Sequence, residues 1–122
     1  MVNNRIKVSF EVTDNFDIEG FRSFVKYLLS DDKFDVYLIT NDDSSAYIDG
    51  IVNKLGLPAD RVFITNFTED KIQAIVTTGI DIHFDNLQSV ILLVDETTEA
   101  TGILVTKNLN KFYLEPDYII TR

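Results

Sequence analysis

The sequence predicts a single α/β domain over residues 1–122, in which a parallel sheet of about five strands carries helices on both faces. Three observations support this prediction. Short apolar runs alternate with segments of helical period, the connections between them are short, and 45% of the 122 residues are hydrophobic. Repeated strand–helix steps with short connections are typical of parallel sheets wound through right-handed crossovers. A hydrophobic fraction of this size is typical of a chain that buries its own core.

The chain opens with a predicted strand and a predicted helix. Residues 6–12 form an apolar run of strand length, and the segment after them has apolar side chains at the spacing of one helix face. Asp17 is placed to cap this helix, because its carboxylate can accept hydrogen bonds from the first unpaired backbone N–H groups. The inward-facing residues of the helix are Ile18, Phe21, Phe24, Val25, Leu28 and Leu29.

Two further strands flank a second helix. Asp43 or Ser44 is the start signal of this helix, and Gly56 followed by Pro58 is its stop signal, since glycine readily adopts the left-handed conformation that ends helices. The inward face of the helix carries Ile48, Ile51, Val52 and Leu55. The two strands are predicted at residues 36–40 and 62–65.

A third helix precedes the fourth strand. Thr68 is predicted to cap this helix and Gly79 to end it. Its inward-facing residues are Ile72, Ile75 and Val76. The fourth strand is predicted at residues 80–84.

The segment at residues 89–97 can be interpreted in two ways. Its apolar run is rich in residues that favour strands, so propensity alone allows a buried strand. Topology favours a helix, because a crossover from the fourth strand to a parallel fifth strand at residues 103–106 needs about a dozen residues. We therefore predict a helix. The apolar and aromatic tail at residues 110–122 could form an edge strand, a flap over the sheet or a contact surface.

Composition limits the partners and the location of the chain. Eleven basic and twenty acidic residues give a net charge of -9, which disfavours binding to nucleic acids and to anionic membranes. Without cysteine, the chain has neither disulfides nor thiolate metal ligands. No apolar run reaches membrane-spanning length, and the first residues lack the pattern of a secretion signal. These observations predict a cytoplasmic protein.

Four polar side chains fall at the predicted strand ends and helix starts. Glu11, Thr40 and Asp85 follow or end the first, second and fourth strands, and Lys71 lies at the start of the third helix. In a parallel sheet these positions share one edge, which is where α/β proteins bind ligands. We therefore expect the four side chains to converge. Taken singly, each of them has an ordinary structural interpretation, and the lone His83 is expected to fill a polar slot beside the sheet.

These four residues, in this order, resemble the motifs of the haloacid dehalogenase superfamily of phosphohydrolases. The stretch KVSFEVTDNF at residues 7–16 resembles the opening motif of that family, with Glu11 at the position of the aspartate nucleophile. The resemblance covers residues 5–106. The chain resembles in particular the small phage-encoded members of the superfamily. It implies a three-layer Rossmann-like fold without a cap domain, and a phage origin would place the protein in the host cytoplasm.

The resemblance implies a role for each residue. In the family a carboxylate attacks phosphorus, Mg²⁺ bridges carboxylate and phosphate oxygens, and a hydroxyl and a lysine hold the transferred group. Glu11 would be the nucleophile and, with Asp85, the Mg²⁺ ligand. Thr40, Asn41 and Lys71 would bind the phosphate.

The sequence also departs from the family pattern. Glu11 is one methylene longer than aspartate, and a misplacement of about 1 Å can cost roughly a hundredfold in rate. Thr13 stands where phosphatases of the family carry a general acid and base. Asp14 takes the place of the short polar turn residue, Asn15 replaces the usual threonine, and Asn86 replaces a second acid. Together these changes indicate an eroded site.

A second register of the opening motif also fits some of these residues. It makes Ser9 the nucleophile position and Glu11 the second acid, and it leaves Thr13 in its family place. The spacing of the first register, in which Phe16 is the apolar residue after the turn, fits the family better.

Three hypotheses for function follow. The first is an eroded haloacid dehalogenase-like protein that binds Mg²⁺, has weak or no phosphatase activity, and acts by binding a phosphorylated ligand or a protein. The second is an active Mg²⁺-dependent phosphatase. The third is a protein-interaction module that uses its acidic surface or its tail. Because no cap domain is inserted, a macromolecular substrate, a partner or a second subunit of a homo-oligomer would have to cover the site.

Overall fold

A computed structural model describes residues 5–12 and 19–105 of the chain. Within these ranges five strands alternate with four α-helices, and a short 3₁₀ helix, Ala59–Arg61, precedes the third strand. The strands are β1 Ile6–Phe10, β2 Phe34–Thr40, β3 Val62–Ile64, β4 Ile82–Asp85 and β5 Thr101–Leu104. The helices are α1 Glu19–Ser30, α2 Ser45–Leu55, α3 Thr68–Thr78 and α4 Gln88–Thr97. None of the helices in the described ranges has the length and the apolar character needed to cross a membrane.

The five strands form one sheet in the order β3-β2-β1-β4-β5, and every pair of neighbours is parallel. The chain therefore builds the sheet outward from β1 in one direction, then returns to the other side of β1 for β4 and β5. This reversal places a topological switch point between β1 and β4, at the carboxyl ends of the strands. The predicted parallel α/β sheet with a Rossmann-like topology is confirmed.

Two apolar clusters form the core. Val8, Phe10 and Val36 pack with residues of α1 and α2 in the first cluster, and Ile39 packs with residues of α3 and α4 in the second. Successive side chains of a strand point to opposite faces of the sheet, so the alternation of β2 supplies residues to both clusters. The fold therefore has three layers, with two helices on each face.

The segment that could have been a strand is the helix α4, as the topology predicts. The strands before and after α4 begin two residues away from their predicted starts at residues 80 and 103. β4 begins at Ile82 because the N–H of Ile80 donates to the carbonyl of Ile75 (3.0 Å) within the turn that ends α3. β5 begins at Thr101, because Thr101 already pairs with Ile82.

The helix ends follow the predicted glycines, whereas the helix starts follow the predictions only in part. Gly56 and Gly79 end α2 and α3 in the left-handed conformation, with φ of 70° and 75°. Ser44 precedes α2 as expected. The prediction that Thr68 caps α3 is wrong: Thr68 is the first helical residue, and Phe67 occupies the N-cap position. Asp17 and the tail at residues 110–122 lie outside the described residues.

Candidate functional site

The four polar side chains predicted at strand ends and helix starts meet in the structure. Glu11 follows β1, Thr40 and Asp85 are the last residues of β2 and β4, and Lys71 lies in the first turn of α3. All four are at most 2% exposed. We call the edge of the sheet where they meet, formed by the carboxyl ends of the strands, the strand-end edge.

The carboxylate of Glu11 is surrounded by hydrogen-bond donors. Its Oε2 accepts from the backbone N–H of Val12 (2.9 Å) and from the hydroxyl of Thr40. Its Oε1 accepts from the backbone N–H of Asn41 (3.0 Å) and from Nζ of Lys71 (2.6 Å). A carboxylate offers about four lone-pair directions, so these four donors occupy all of them.

The donors on β2 are themselves held by neighbours. The backbone N–H of Asp42 donates to Oγ1 of Thr40 (2.9 Å), which leaves the hydroxyl hydrogen directed at Glu11. Thr65 lies beside the end of β2: its N–H donates to the carbonyl of Thr40 (2.8 Å), and its hydroxyl donates to Oδ1 of Asn41. The turn after β2 is therefore fixed by contacts that do not involve Glu11.

Lys71 links the two acids of the site. Its Nζ lies 2.6 Å from Oε1 of Glu11 and 2.8 Å from Oδ2 of Asp85, and its side chain is 1% exposed. A buried ammonium is costly unless it is paired and hydrogen-bonded. Two carboxylates therefore hold Lys71 in a position from which water is nearly excluded.

Asp85 has a full set of partners as well. Its Oδ2 accepts from Lys71 and faces Nε2 of His83 (2.9 Å), and its Oδ1 accepts from the backbone N–H of Leu87 (3.1 Å). Burial opposes ionisation of this carboxyl group, but the hydrogen bond with His83 and the charge of Lys71 outweigh burial and hold the pKa of Asp85 below its ordinary value. Asp85 is therefore ionised at neutral pH.

Ser9 and His83 extend the site into the sheet. Oγ of Ser9 lies 2.7 Å from Nδ1 of His83, and both side chains are fully buried. Hydroxyl, imidazole and carboxylate thus follow one another in the order of a nucleophilic triad. A hydroxyl at 0% exposure cannot reach a substrate in this arrangement, so His83 fills the polar slot that the sequence predicts for it.

The prediction of site residues missed Thr65, and it named Ser9 only as the nucleophile position of the second register. Strand alternation places Ser9 on the same face of β1 as Glu11, and the register places it opposite His83. Thr65 follows the last residue of β3, which pairs with Thr40. Both signals become visible only when the strand order is known. We refer to Ser9, Glu11, Thr40, Lys71, His83 and Asp85 together as the buried network.

Of the other residues predicted for the site, Asn86 lies within the described residues and Thr13 and Asp14 do not. The structure therefore does not place the side chains of Thr13 and Asp14. Asn86 follows Asp85 directly, and its Oδ1 is buried without a hydrogen-bond partner among the described residues. Asn86 therefore carries an acceptor that is available for a donor or a cation.

The two acids predicted to bind Mg²⁺ do share one site. Their facing oxygens, however, both accept from Nζ of Lys71. No group of three or more histidine, cysteine, aspartate and glutamate side chains in the described part of the chain could hold a metal ion. The lysine ammonium thus lies between Glu11 and Asp85, and Mg²⁺ binding by these two acids stays a prediction.

Comparison of the chain with protein-family models, with curated proteins and with solved structures found no match. The fold and the geometry of the buried network therefore rest on this chain alone. The resemblance to the haloacid dehalogenase superfamily stays a prediction, which depends on the residue types and on their order along the chain.

Proposed function

We propose that this chain is a haloacid dehalogenase-like protein with an eroded phosphohydrolase site, which acts in the cytoplasm by binding a partner protein rather than by hydrolysing a phosphate ester. One observation carries the proposal: the carboxylate of Glu11, at the position of the family nucleophile, is buried and accepts four hydrogen bonds.

A nucleophilic carboxylate needs an oxygen that can approach phosphorus. Productive attack requires the reacting atoms to lie about 3 to 3.5 Å apart with a lone pair directed at the target. Every lone-pair direction of Glu11 is already used by a donor. Freeing one oxygen would break a hydrogen bond inside a buried network, which supports weak or absent phosphatase activity.

The same contacts favour a protein over a phosphorylated ligand as the bound molecule. A phosphoryl group at this site would need the hydroxyl of Thr40, the N–H of Asn41 and the ammonium of Lys71 as donors. All three donate to Glu11 instead. A phosphorylated ligand would have to displace an internal carboxylate before it could bind.

Four exposed apolar side chains lie at the strand-end edge. Ile64 and Leu104 end β3 and β5, and Phe67 and Leu87 precede α3 and α4; all four are exposed. Phe67 and Leu87, which are 67% and 49% exposed, occupy N-cap positions where a serine or aspartate would stabilise the helix by about 1 kcal/mol. Phe67 and Leu87 cannot provide this stabilisation, so their presence at one edge supports another role for them, as part of a surface that contacts a protein.

The activity test is hydrolysis of a generic aryl phosphate with and without Mg²⁺. We expect no turnover by the wild-type chain under either condition. Turnover that is lost in Asp85→Asn would instead support the active phosphatase and contradict the proposal. Turnover that appears only in Glu11→Asp would support membership of the phosphohydrolase superfamily. It would also show that the extra methylene of Glu11 abolishes the nucleophilic attack.

The binding test compares apolar positions at and away from the strand-end edge. We expect Phe67→Ser to lower the amount of partner captured from a host lysate, and Leu92→Ser, at an exposed position of α4, to leave it unchanged. Sedimentation of the purified chain measures whether the partner is a second copy. Equal capture by both variants and by the wild type would contradict a contact surface at Phe67.

A further inference from the structure

A groove of about 560 Å³ lies between α1 and α2, on the face of the sheet opposite α3 and α4. Arg22 and Lys26 line this groove from α1, and Lys54 lines it from α2. Its volume falls within the range of about 300 to 1,000 Å³ that is usual for ligand sites. We call it the α1–α2 groove.

The charge of the groove is opposite to that of the chain. Acidic residues outnumber basic residues in the sequence by twenty to eleven, yet none of the described residues that line the groove is acidic. Lys26 and Lys54 are exposed, and neither takes part in the ion pairs among the described residues, whereas Arg5, Arg61 and Lys71 do. The groove therefore presents two ammonium groups that can pair with an incoming anion.

Between the cations the groove is apolar. Ile51 is buried and Leu55 is half-buried on the side of α2 that lines the groove. Gly50 precedes them in the interior of the helix, where glycine is less stable than alanine. A Cβ at Gly50 would meet no described atom within 4 Å, so packing does not explain this glycine. A ligand that fits the groove combines negative charge with an apolar part, and it can approach the backbone of α2 closely.

The spacing of the cations on α1 fits an extended peptide. Arg22 and Lys26 are four positions apart in a helix, which corresponds to a rise of about 6 Å along the axis. In an extended chain, alternate side chains point to one side at intervals of about 6.5 Å, and the side chain between them points to the other side. Acidic residues at alternate positions of a peptide would therefore meet both cations.

Other anions fit this groove less well. The net charge of -9 opposes the approach of a nucleic acid or an anionic membrane, whose negative charge extends beyond the groove. A flat bilayer also does not enter a concave site. A small inorganic anion would leave the apolar surface of Ile51 and Leu55 uncovered.

We propose that the α1–α2 groove binds an extended acidic segment of a partner protein, whose acidic side chains pair with the cations and whose apolar side chains cover Ile51 and Leu55. The inference goes beyond the proposed function, because it concerns a second surface. Phe67 precedes α3, which packs on the other face of the sheet. The two contacts can therefore be lost separately.

The test is fluorescence anisotropy of a labelled peptide in which glutamate alternates with leucine, titrated with the full chain at constant ionic strength. We expect saturable binding, which Lys26→Glu and Lys54→Glu each weaken by at least about tenfold, because a like charge then faces the peptide. The matched control is Lys33→Glu, in an exposed turn outside the groove, which should bind as the wild type does. No saturable binding by the wild type, or an equal loss in Lys33→Glu, would overturn the proposal.

A second pair of variants fills the groove instead of changing its charge. Gly50→Leu places a side chain in the groove, and Gly20→Leu places the same side chain on α1 outside it; a Cβ meets no described atom within 4 Å at either position. Leucine favours helices more than glycine does, so both variants should stay folded in urea denaturation. We expect Gly50→Leu to weaken peptide binding by at least about tenfold and Gly20→Leu to leave it unchanged. Equal affinities of the two variants would contradict binding in the groove.

The remaining outcomes concern the identity of the occupant. A peptide with serine in place of leucine should bind at least about tenfold more weakly, because it cannot cover the apolar residues. Equal binding of this peptide would show attraction by charge alone and contradict the proposal. Sedimentation of the wild type alone tests a second copy of the chain as occupant. Self-association that Lys54→Glu abolishes would assign the groove to that copy, and tighter binding of a labelled oligothymidylate would assign it to a nucleic acid; either result would overturn the proposal.

Failure of this inference is distinguishable from failure of the proposed function. Phe67→Ser should lower capture of the partner from a host lysate and leave the affinity for the labelled peptide unchanged. Loss of peptide binding in Phe67→Ser would contradict a separate site in the groove. Hydrolysis of an aryl phosphate by the wild type would contradict the proposed function and leave the peptide titration unaffected.

Discussion

Two clusters of charged side chains lie at opposite edges of the sheet. In one cluster two cations surround an acid, and in the other two acids surround a cation. At the start of β2, Asp35 pairs with two cations, Arg5 (3.0 Å) and Arg61 (3.5 Å). At the strand-end edge, Lys71 pairs with two acids. The Arg5 and Arg61 side chains are 41% and 29% exposed, whereas Lys71 is 1% exposed.

The comparison shows that burial, rather than the number of ion pairs, decides what a cluster does. Water and salt screen the arginines, and exposed pairs contribute about 0 to 1 kcal/mol to stability. A buried pair adds little net stability when complete, but removing one partner leaves an uncompensated charge. We therefore expect the loss of one arginine of the Asp35 cluster to cost little, since the other remains beside the carboxylate, and the loss of one charged member of the buried network to cost much more.

The largest expected effect follows removal of the buried cation. Lys71→Met keeps most of the side-chain volume but leaves the carboxylates of Glu11 and Asp85 facing each other without a cation. We expect the free energy of unfolding to fall by about 3 to 5 kcal/mol. Urea denaturation at neutral pH measures this change. An equal loss in Arg5→Met, the control at the other edge, would break the comparison.

An intermediate effect, dependent on pH, is expected at Asp85. Because the folded pKa of Asp85 is lowered, ionisation of this group stabilises the fold above its unfolded pKa, and the contribution disappears as the pH falls through the folded value. Asp85→Asn removes this contribution. We expect a loss of about 2 kcal/mol at neutral pH.

The pH series supplies the control for this variant. The difference in free energy of unfolding between the wild type and Asp85→Asn should shrink as the pH falls below the ordinary range of aspartate, in urea denaturations at matched ionic strength. A difference that stays constant down to acid pH would show that Asp85 acts through packing rather than through its charge.

The smallest effect is expected at Arg5. Arg5→Met removes a partly exposed partner of Asp35, and Arg61 remains beside the same carboxylate. We expect a loss of about 0 to 1 kcal/mol at low salt, and almost none at high salt because the pair is screened. Thermal unfolding at two salt concentrations measures both values. A larger loss that salt leaves unchanged would indicate that this cluster resembles the buried network.

The sequence predicted the architecture and the meeting of the four side chains for the same reason. Apolar periodicity locates the strands, and parallel strands bring their carboxyl ends to one edge, so residues such as Thr40 and Asp85 had to lie at the same edge, on either side of β1. Their chemical state could not be predicted in this way. The direction of the Glu11 carboxylate depends on donors that lie 29 and 60 positions away in the sequence.

The local errors have equally specific causes. Isoleucine favours strands, but the N–H of Ile80 donates to a carbonyl in the turn that ends α3, so Ile80 does not belong to β4. Phe67 occupies the N-cap position, where a polar residue is expected. The N-cap of α3 was therefore predicted one residue too late, at Thr68. A hydrogen bond overrides residue propensity at Ile80, and an exposed apolar side chain takes the place of a polar cap at Phe67. Neither feature can be predicted from a single sequence.

The bonds of the buried network also order the events of folding. Lys71 and Glu11 are 60 positions apart, and Ser9 and His83 are 74 apart. Contacts between such distant residues are slow to form, because the intervening chain must first be brought together. On the ribosome, Ser9 and Glu11 emerge long before their partners, His83 on β4 and Lys71 on α3, so these groups stay hydrated while the first half of the chain assembles. Closure of the network is therefore the step that marks a completed domain.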